Sequence, residues 1–198
     1  MERNSIGFHF LPNVYKIVGT GVKRAKSLLT RHDAGSVEKI IFSDEKLFTT
    51  EVKCNAQNNR VYVLAIEDIP EHIRTVSTFQ NKNSVMVWAA LGHNGKIPLK
   101  FVDKGVKIDQ HYYKTEVLEK TLLPNVSSLY PNGQWTFQQD SALAHKAKSV
   151  QEWLKANSPD FIDTQSWPSS SPDLNPLDYC VWGTLEAKVN ATPHRSSE

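Results

Sequence analysis

The chain has 198 residues, of which 39% are hydrophobic and 22% are charged, and its formal net charge is +2. This composition is that of a folded globular domain, and it excludes a disordered chain or a strongly basic tail. The two cysteines, Cys54 and Cys180, are too far apart for a Cys-x-x-Cys pair, which argues against a zinc site or a disulfide framework. No run is apolar enough for a membrane span or a signal core, so we expect a nuclear or cytosolic protein.

The first half of the chain is predicted to consist mainly of strands. A short helix from about Gly21 to Arg31 comes first, and a break at 33–36 follows it. Runs of β-forming residues then occur at 37–42, 47–52, 60–66 and 84–91. The run at 84–91 is the strongest, and 97–102 is predicted to pair with it as the second arm of a hairpin.

The second half alternates between helix and strand patterns. Asp109 is predicted to cap a helix that runs to Leu123 and ends near Pro124. A strand, an amphipathic helix, a short strand and a final helix follow, at 135–139, 143–154, 161–163 and from Pro176. Because strands dominate the first half and β-α units follow in the second half, the sequence predicts an α/β fold, in which a mixed sheet is flanked by helices.

Three aspartates stand where an α/β sheet places a shared site. Asp44 and Asp140 each follow a strand-like run, and Asp178 lies in the first turn of the last helix. Each has an ordinary explanation, as a turn residue, a helix N-cap or an acid at the positive end of a helix dipole. Together they predict a carboxylate cluster, a site for hard divalent cations. Glu45 is expected to face elsewhere on the strand.

Further polar residues near these acids are secondary candidates. His145 is either a surface residue or a contact to substrate phosphate or to the groups around a metal. Asn175 either caps the last helix or bonds to substrate. Three lysines are either contacts to nucleic-acid phosphate or ordinary solvated side chains: Lys46, Lys146 and Lys148.

Four phrases of the sequence carry a resemblance to a known family. They lie at 42–48 (Phe-Ser-Asp-Glu-Lys-Leu-Phe), 85–90, 139–145, and 167–168 with 171–178 (Ser-Pro-Asp-Leu-Asn-Pro-Leu-Asp). In their order and spacing they resemble mariner-like transposases, within the DDE/D class, over roughly Gly21 to Val189. The last phrase is the most specific, because Ser-Pro-Asp-Leu-Asn-Pro followed by an acid two residues later is hard to obtain by chance.

The resemblance implies an RNase H-like fold with a catalytic, metal-binding triad of Asp44, Asp140 and Asp178. Asp in the third position points to a mariner-type branch with an all-Asp triad. The family cleaves and rejoins double-stranded DNA at transposon ends and targets, which implies a nuclear protein with two Mg²⁺ ions per site, or Mn²⁺ in their place. A homodimer, clamped by an inserted loop over 60–82, is implied as well.

The expected organisation is a linker with a short helix at 1–36, followed by the catalytic domain at 37–198. Transposases of this kind begin with helix-turn-helix modules, and the residues before Gly21 are too few for one, while the C-terminus is expected to be cut short. Two other hypotheses therefore stay open. One is a catalytically silent, transposon-derived domain that binds DNA or protein, and the other is a nuclease acting on RNA–DNA hybrids.

Overall fold

The computed structural model of the protein describes residues 20–32, 34–49, 84–168 and 171–191. Within these ranges six strands form one sheet: Ile40–Thr49 (β1), Ser84–Gly92 (β2), Gly95–Lys96 (β3), Lys100–Val102 (β4), Thr136–Gln138 (β5) and Asp160–Phe161 (β6). The order is β3-β2-β1-β5-β6, and β4 also pairs with β2. Since β1 and β2 are antiparallel while β1, β5 and β6 are parallel, the predicted mixed sheet is confirmed.

The first strand differs from its prediction. Separate strands at 37–42 and 47–52 were expected, with Asp44 at the end of the first, but β1 is continuous from Ile40 to Thr49. Its antiparallel pairing with β2 is unbroken through this region, because no glycine or proline interrupts the ladder. Asp44 is therefore in the middle of a strand, although it lies beyond Phe42, where the pairing with β5 stops.

Helices cover both faces of this sheet. Two helices precede β1, at Thr20–Arg31 (α1) and Ala34–Val37 (α2). A long helix (α3) consists of Gln110–Tyr112, a π-wound part at Tyr113–Leu122, and Leu123–Leu129. Between β5 and β6 lie Leu143–Lys146 (α4) and Lys148–Asn157 (α5). After a 3₁₀ turn at Pro172–Leu174, the last helix (α6) is π-wound at Leu177–Val181 and α-helical at Trp182–Val189.

The sheet separates two apolar layers. On one face Trp88 packs among buried side chains of α3 and α5, and on the other Ala89 packs against Trp182 of α6. Successive residues of a strand point to opposite faces, so β2 fixes the side that each residue of β1 faces. Asp44, opposite Ala89, is on the α6 side, and Glu45, opposite Trp88, is on the α3 side.

The start of α3 matches its prediction, but its end does not. The Asp109 carboxylate accepts hydrogen bonds from the backbone N–H groups of His111 and Tyr112, at 3.0 and 2.8 Å, and so caps the helix. The helix then continues past Pro124 to Leu129. Proline removes one backbone donor and crowds the preceding turn, and the wider winding of the π segment before it gives room for the ring.

The predicted helix at 143–154 is broken at Ala147, whose backbone is extended with ψ of 135°. Leu143, which would lie on the apolar face of a continuous helix, is 91% exposed, whereas Val150 and Leu154 are buried. The carbonyl oxygen of His145 accepts a hydrogen bond from Gln151 Nε2 at 2.8 Å. A side chain thus takes the place of a helical amide, and α4 ends as a separate turn.

Some predictions lie outside the described residues. These are the strand at 60–66 and the clamp loop over 60–82. Within the described ranges, none of the helices is long and apolar enough to cross a membrane.

Candidate active site

Asp44 and Asp140 lie at the same end of the sheet because β1 and β5 run parallel in a fixed register. Phe42 pairs with Gln138, and each aspartate follows its member of this pair by two residues. Hydrogen bonds also join the two strands here. Ser43 Oγ donates to the Gln138 carbonyl at 2.8 Å, and the Ser43 N–H donates to Gln138 Oε1 at 3.3 Å. The two acids therefore follow from the register of one strand pair.

Asp178 is brought to this place by Asn175. The Asn175 side chain is buried, its Nδ2 donates to the Ser43 carbonyl at 3.1 Å, and its Oδ1 accepts from the Leu177 N–H at 3.1 Å. One end of the amide thus binds β1 and the other end binds a free backbone donor at the start of α6. Because Asp178 lies in the first turn of that helix, the same amide sets its position relative to Asp44.

The three aspartates line one open cleft with a volume of about 480 Å³. Its other walls come from the end of β5 and from the Trp-Pro and Ser-Pro segments. The remaining lining residues are Glu45, Ser141, Ala142, Lys146, Trp167, Ser171, Pro172 and Asn175. The structure thus brings all three predicted acids to a single concave surface.

The cleft has the electrostatics of crowded acids. Burial raises the pKa of Asp44 to about 7; a hydrogen bond from Trp182 opposes the rise, and the charges of Asp178 and Glu45 add to it. Burial also raises the pKa of Asp178, where a hydrogen bond with Asp44 opposes the rise and the charge of Asp140 adds to it. The fold therefore holds two acids where their charged forms are disfavoured.

His145 joins one of the three aspartates, Asp140, to a fourth acid, Glu45. Its side chain is 3% exposed, with Nδ1 at 2.6 Å from Asp140 Oδ1 and Nε2 at 3.2 Å from Glu45 Oε1. Ionised carboxylates only accept hydrogen bonds, so the ring donates from both nitrogens and is positively charged. Burial lowers the pKa of His145, but its bonds to Asp140 and Glu45 outweigh this and raise the pKa to about 9.

The charge of His145 acts in turn on Asp140. Burial raises the pKa of Asp140, but hydrogen bonds from His145 and from the Ala142 N–H outweigh it, and the pKa is lowered. Both bonds go to Oδ1, at 2.6 and 2.9 Å. Asp140 is thus kept ionised, whereas burial disfavours the charged forms of Asp44 and Asp178.

The structure corrects the interpretation of two secondary candidates. His145 is neither a surface residue nor a free contact for substrate phosphate, because both ring nitrogens are bonded to acids within the protein. It contacts Asp140, a candidate metal ligand, and Glu45, so its role beside a metal stays a prediction. Asn175, which is 2% exposed, binds the backbone at both ends of its amide and so positions α6.

The three candidate lysines lie in different environments. Lys146 lines the cleft beside the acids. Lys46 forms an ion pair with Glu186 of α6 at 3.3 Å, and Lys148 is exposed and pairs with Glu152 at 3.6 Å. Of these lysines, Lys146 is thus the one placed to meet a ligand in the cleft.

Sequence patterns missed two members of the site. Glu45 does face the other side of the sheet from Asp44, as expected, but there it binds His145. Trp182 lies in the last helix, and its Nε1 donates to Asp44 Oδ2 at 2.7 Å. A signal for Trp182 was present, because it follows Asp178 by four residues and so shares its face of the helix.

The donor set fits a hard divalent cation. Asp44, Asp140 and Asp178 offer carboxylate oxygens, which are the ligands that Mg²⁺ and Mn²⁺ prefer, and a cation would neutralise their mutual repulsion. Asp140 uses Oδ1 for hydrogen bonds, which leaves Oδ2 for the cleft. In the described part of the chain, no group of three or more His, Cys, Asp or Glu side chains is already placed to hold a metal ion.

A comparison with known families decides what kind of site this is. The sequence model of the DDE superfamily endonucleases matches residues 39–198, a range that contains the three aspartates and the whole cleft. The chain belongs to this family. The resemblance to the DDE/D class is thereby confirmed.

Curated relatives of this DDE superfamily chain are transposases of transposable elements. It is 35% identical over 106 residues to the Tcb2 transposase of Caenorhabditis briggsae and 31% identical over 157 residues to the Tc3 transposase of Caenorhabditis elegans. The alignments cover 54% and 77% of this chain, but only 36% and 43% of the relatives. The chain therefore spans less than half the length of these two proteins.

A solved structure shows the same architecture. The Mos1 mariner paired end complex with Mn superposes with a TM-score of 0.70 at 19% identity, covering 90% of this chain and 50% of that one. At this identity the likeness shows the fold, and the predicted RNase H-like sheet flanked by helices is confirmed. The chain is thus similar in fold to the Mos1 transposase and similar in sequence to the two Caenorhabditis transposases.

Proposed function

We propose that this protein is the catalytic domain of a DNA transposase, which cleaves phosphodiester bonds of double-stranded DNA and joins the freed strand end to a target. The observation that carries this proposal is the convergence of Asp44, Asp140 and Asp178 on one cleft. Two relatives are named as transposases, and the Mos1 neighbour is a paired end complex with Mn, which supports a nucleic-acid substrate.

The three aspartates are the proposed ligands of two Mg²⁺ or Mn²⁺ ions. When bound, such ions would activate a water or a DNA 3′-hydroxyl and stabilise the leaving oxygen. The chain itself supplies the geometry: the register of β1 and β5 sets Asp44 and Asp140, and Asn175 sets Asp178 through its bond to Ser43. His145 keeps Asp140 charged and fixes one of its oxygens.

DNA would be held mainly through its phosphates. Lys146 is the proposed contact inside the cleft, and Lys46 and Lys148 are weaker candidates because each already forms an ion pair. The nucleus, where target DNA resides, is the proposed location. A second copy of the chain, bound through residues around 60–82, belongs to the same proposal.

The direct test is nicking of supercoiled plasmid, because this readout needs no particular end sequence. We expect wild-type protein to convert plasmid to open circles when Mn²⁺ is added and not in EDTA. Asp140→Asn should reduce this to background. Asp109→Asn is the matched control, since it makes the same Asp-to-Asn change at a residue that does not line the cleft, and Asn preserves the helix cap.

Other outcomes would select the alternatives. Equal nicking by wild type and Asp140→Asn would reject the catalytic assignment. Binding of Mn²⁺ without cleavage of any DNA would favour a silent, transposon-derived domain. Preferential cleavage of an RNA–DNA hybrid in competition with duplex DNA would favour a general nuclease.

A further inference from the structure

Trp182 ties α6 directly to the first acid, Asp44. It is 2% exposed, and its Nε1–H donates to Asp44 Oδ2 at 2.7 Å. It also lies one helical turn after Asp178, so one helix carries the third acid and the hydrogen-bond donor to the first. The positions of Asp178 and of the Trp182 indole N–H relative to Asp44 are therefore coupled, because both side chains belong to α6.

The packing around Trp182 fixes the direction of this hydrogen bond. The indole lies edge-on to Phe48, with ring centroids 5.9 Å apart and an interplanar angle of 72°. It is enclosed in the apolar cluster with Ala89 and Leu177. A buried indole N–H without an acceptor would be costly, so the ring and the carboxylate hold each other in place.

Asp44 and Asp140 are supported in the same way. Asp44 Oδ2 accepts a hydrogen bond from Trp182 Nε1, and Asp140 Oδ1 accepts one from His145 Nδ1; both donors are buried. Each acid still lines the cleft. A carboxylate with one oxygen tied from behind presents its other oxygen in a defined direction, which is how supporting hydrogen bonds orient metal ligands.

We propose that Trp182 is a positioning residue of the active site, which orients Asp44 for binding a divalent cation through its indole N–H. This inference rests on the proposed function, because it assumes that Asp44 is a metal ligand. It gives Trp182 a role that core packing alone would not require. The consequence is a cation affinity that depends on one N–H group.

The decisive variant is Trp182→Phe, which keeps an aromatic ring and removes the N–H. The matched control is Trp88→Phe: Trp88 is as deeply buried in the sheet, but its Nε1 has no hydrogen-bond partner among the described residues. We expect calorimetric titration with Mn²⁺ to give about tenfold weaker binding for Trp182→Phe than for Trp88→Phe. Thermal melting in EDTA establishes that each variant is folded, so that weaker cation binding can be separated from a loss of structure.

A spectroscopic measurement on the wild-type chain makes the test independent of variant folding. The chain has five tryptophans, and their indole N–H signals can be followed by ¹⁵N NMR during titration with Mg²⁺. The Trp182 signal should shift most, and the Trp88 signal should remain in place.

The outcomes separate the two claims. If the wild type binds no cation, the metal-dependent function fails and the role of Trp182 fails with it. If the wild type binds Mn²⁺ but Trp182→Phe binds as tightly as Trp88→Phe, or if the Trp182 signal does not move with Mg²⁺, only the positioning role is overturned.

Discussion

Burial and neighbouring charges raise the pKa of Asp44 from an ordinary value of 3.8 to about 7. Between these values the folded state binds a proton that the unfolded state lacks, so the metal-free protein loses stability as the pH rises from about 4 to about 7. Asp44→Asn removes this loss. We expect denaturant melts in EDTA to show that Asp44→Asn becomes more stable than wild type as the pH rises through this range.

The same experiment with Mg²⁺ provides the control. A cation that binds the ionised acids stabilises the folded state at pH 7.5 more than at pH 4.5, because protonated carboxyls do not bind it. A wild-type stability that falls equally with and without Mg²⁺ would contradict the assignment of Asp44 to a metal site.

The pKa of His145 is raised from an ordinary 6.5 to about 9. His145 is a base rather than an acid, but its contribution to stability also falls as the pH rises. The stabilisation from its bonds to Asp140 and Glu45 is complete below pH 6.5 and is lost as the pH rises through 9. His145→Gln removes the cation between Glu45 and Asp140, whose side chain is 47% exposed, and we expect this to cost about 2 kcal/mol at pH 6. This difference in unfolding free energy should shrink by pH 9.

At the scale of secondary-structure elements, sequence patterns predict the structure correctly where neighbouring residues alone determine it. The cap at Asp109 and the strand at 84–91 needed only neighbouring residues, and both are present. The junction of two predicted strands into β1 was not visible, because the ladder with β2 decides it. The break at Ala147 was missed for a similar reason, since a bond from Gln151 replaces a helical one.

The attachment of α6 to the sheet is the element-scale feature most open to test. Asn175→Ala removes the donor to the Ser43 carbonyl and the acceptor for the Leu177 N–H, both in a buried place. We expect a loss of about 2–3 kcal/mol in urea unfolding. Asn157→Ala, at an exposed site where the side chain bonds one carbonyl, should cost less than about 1 kcal/mol. Equal costs would mean that Asn175 does not hold the helix.

At the scale of the whole molecule, the sequence predicts the candidate metal ligands of the site but not the residues that hold those ligands in place. The three aspartates follow recognisable runs, so their convergence could be inferred from the order of strands and helices. Glu45 and His145 are 100 residues apart, and Asp44 and Trp182 are 138 apart. No local sequence pattern predicts such pairs, because each pair depends on which face of the sheet α4 or α6 covers.

The net charge of +2 gives the molecule little overall attraction for DNA, so binding must depend on local positive charge near the acids. Lys146 lines the cleft, whereas Lys148, two residues on, is 89% exposed and paired with Glu152. Lys146→Ala should weaken binding to a short duplex in EDTA and reduce the slope of log affinity against log salt by about 0.9, the value for one lost phosphate contact.

Lys148→Ala makes the same change of charge and is the matched control. Fluorescence anisotropy between roughly 50 and 200 mM salt, the range over which phosphate contacts change affinity strongly, measures both slopes. A lysine that contacts phosphate in the cleft changes the slope, and one that is solvated on the outer face of α5 does not. Equal slopes for the two variants would show that DNA is not held at the mouth of the acidic cleft.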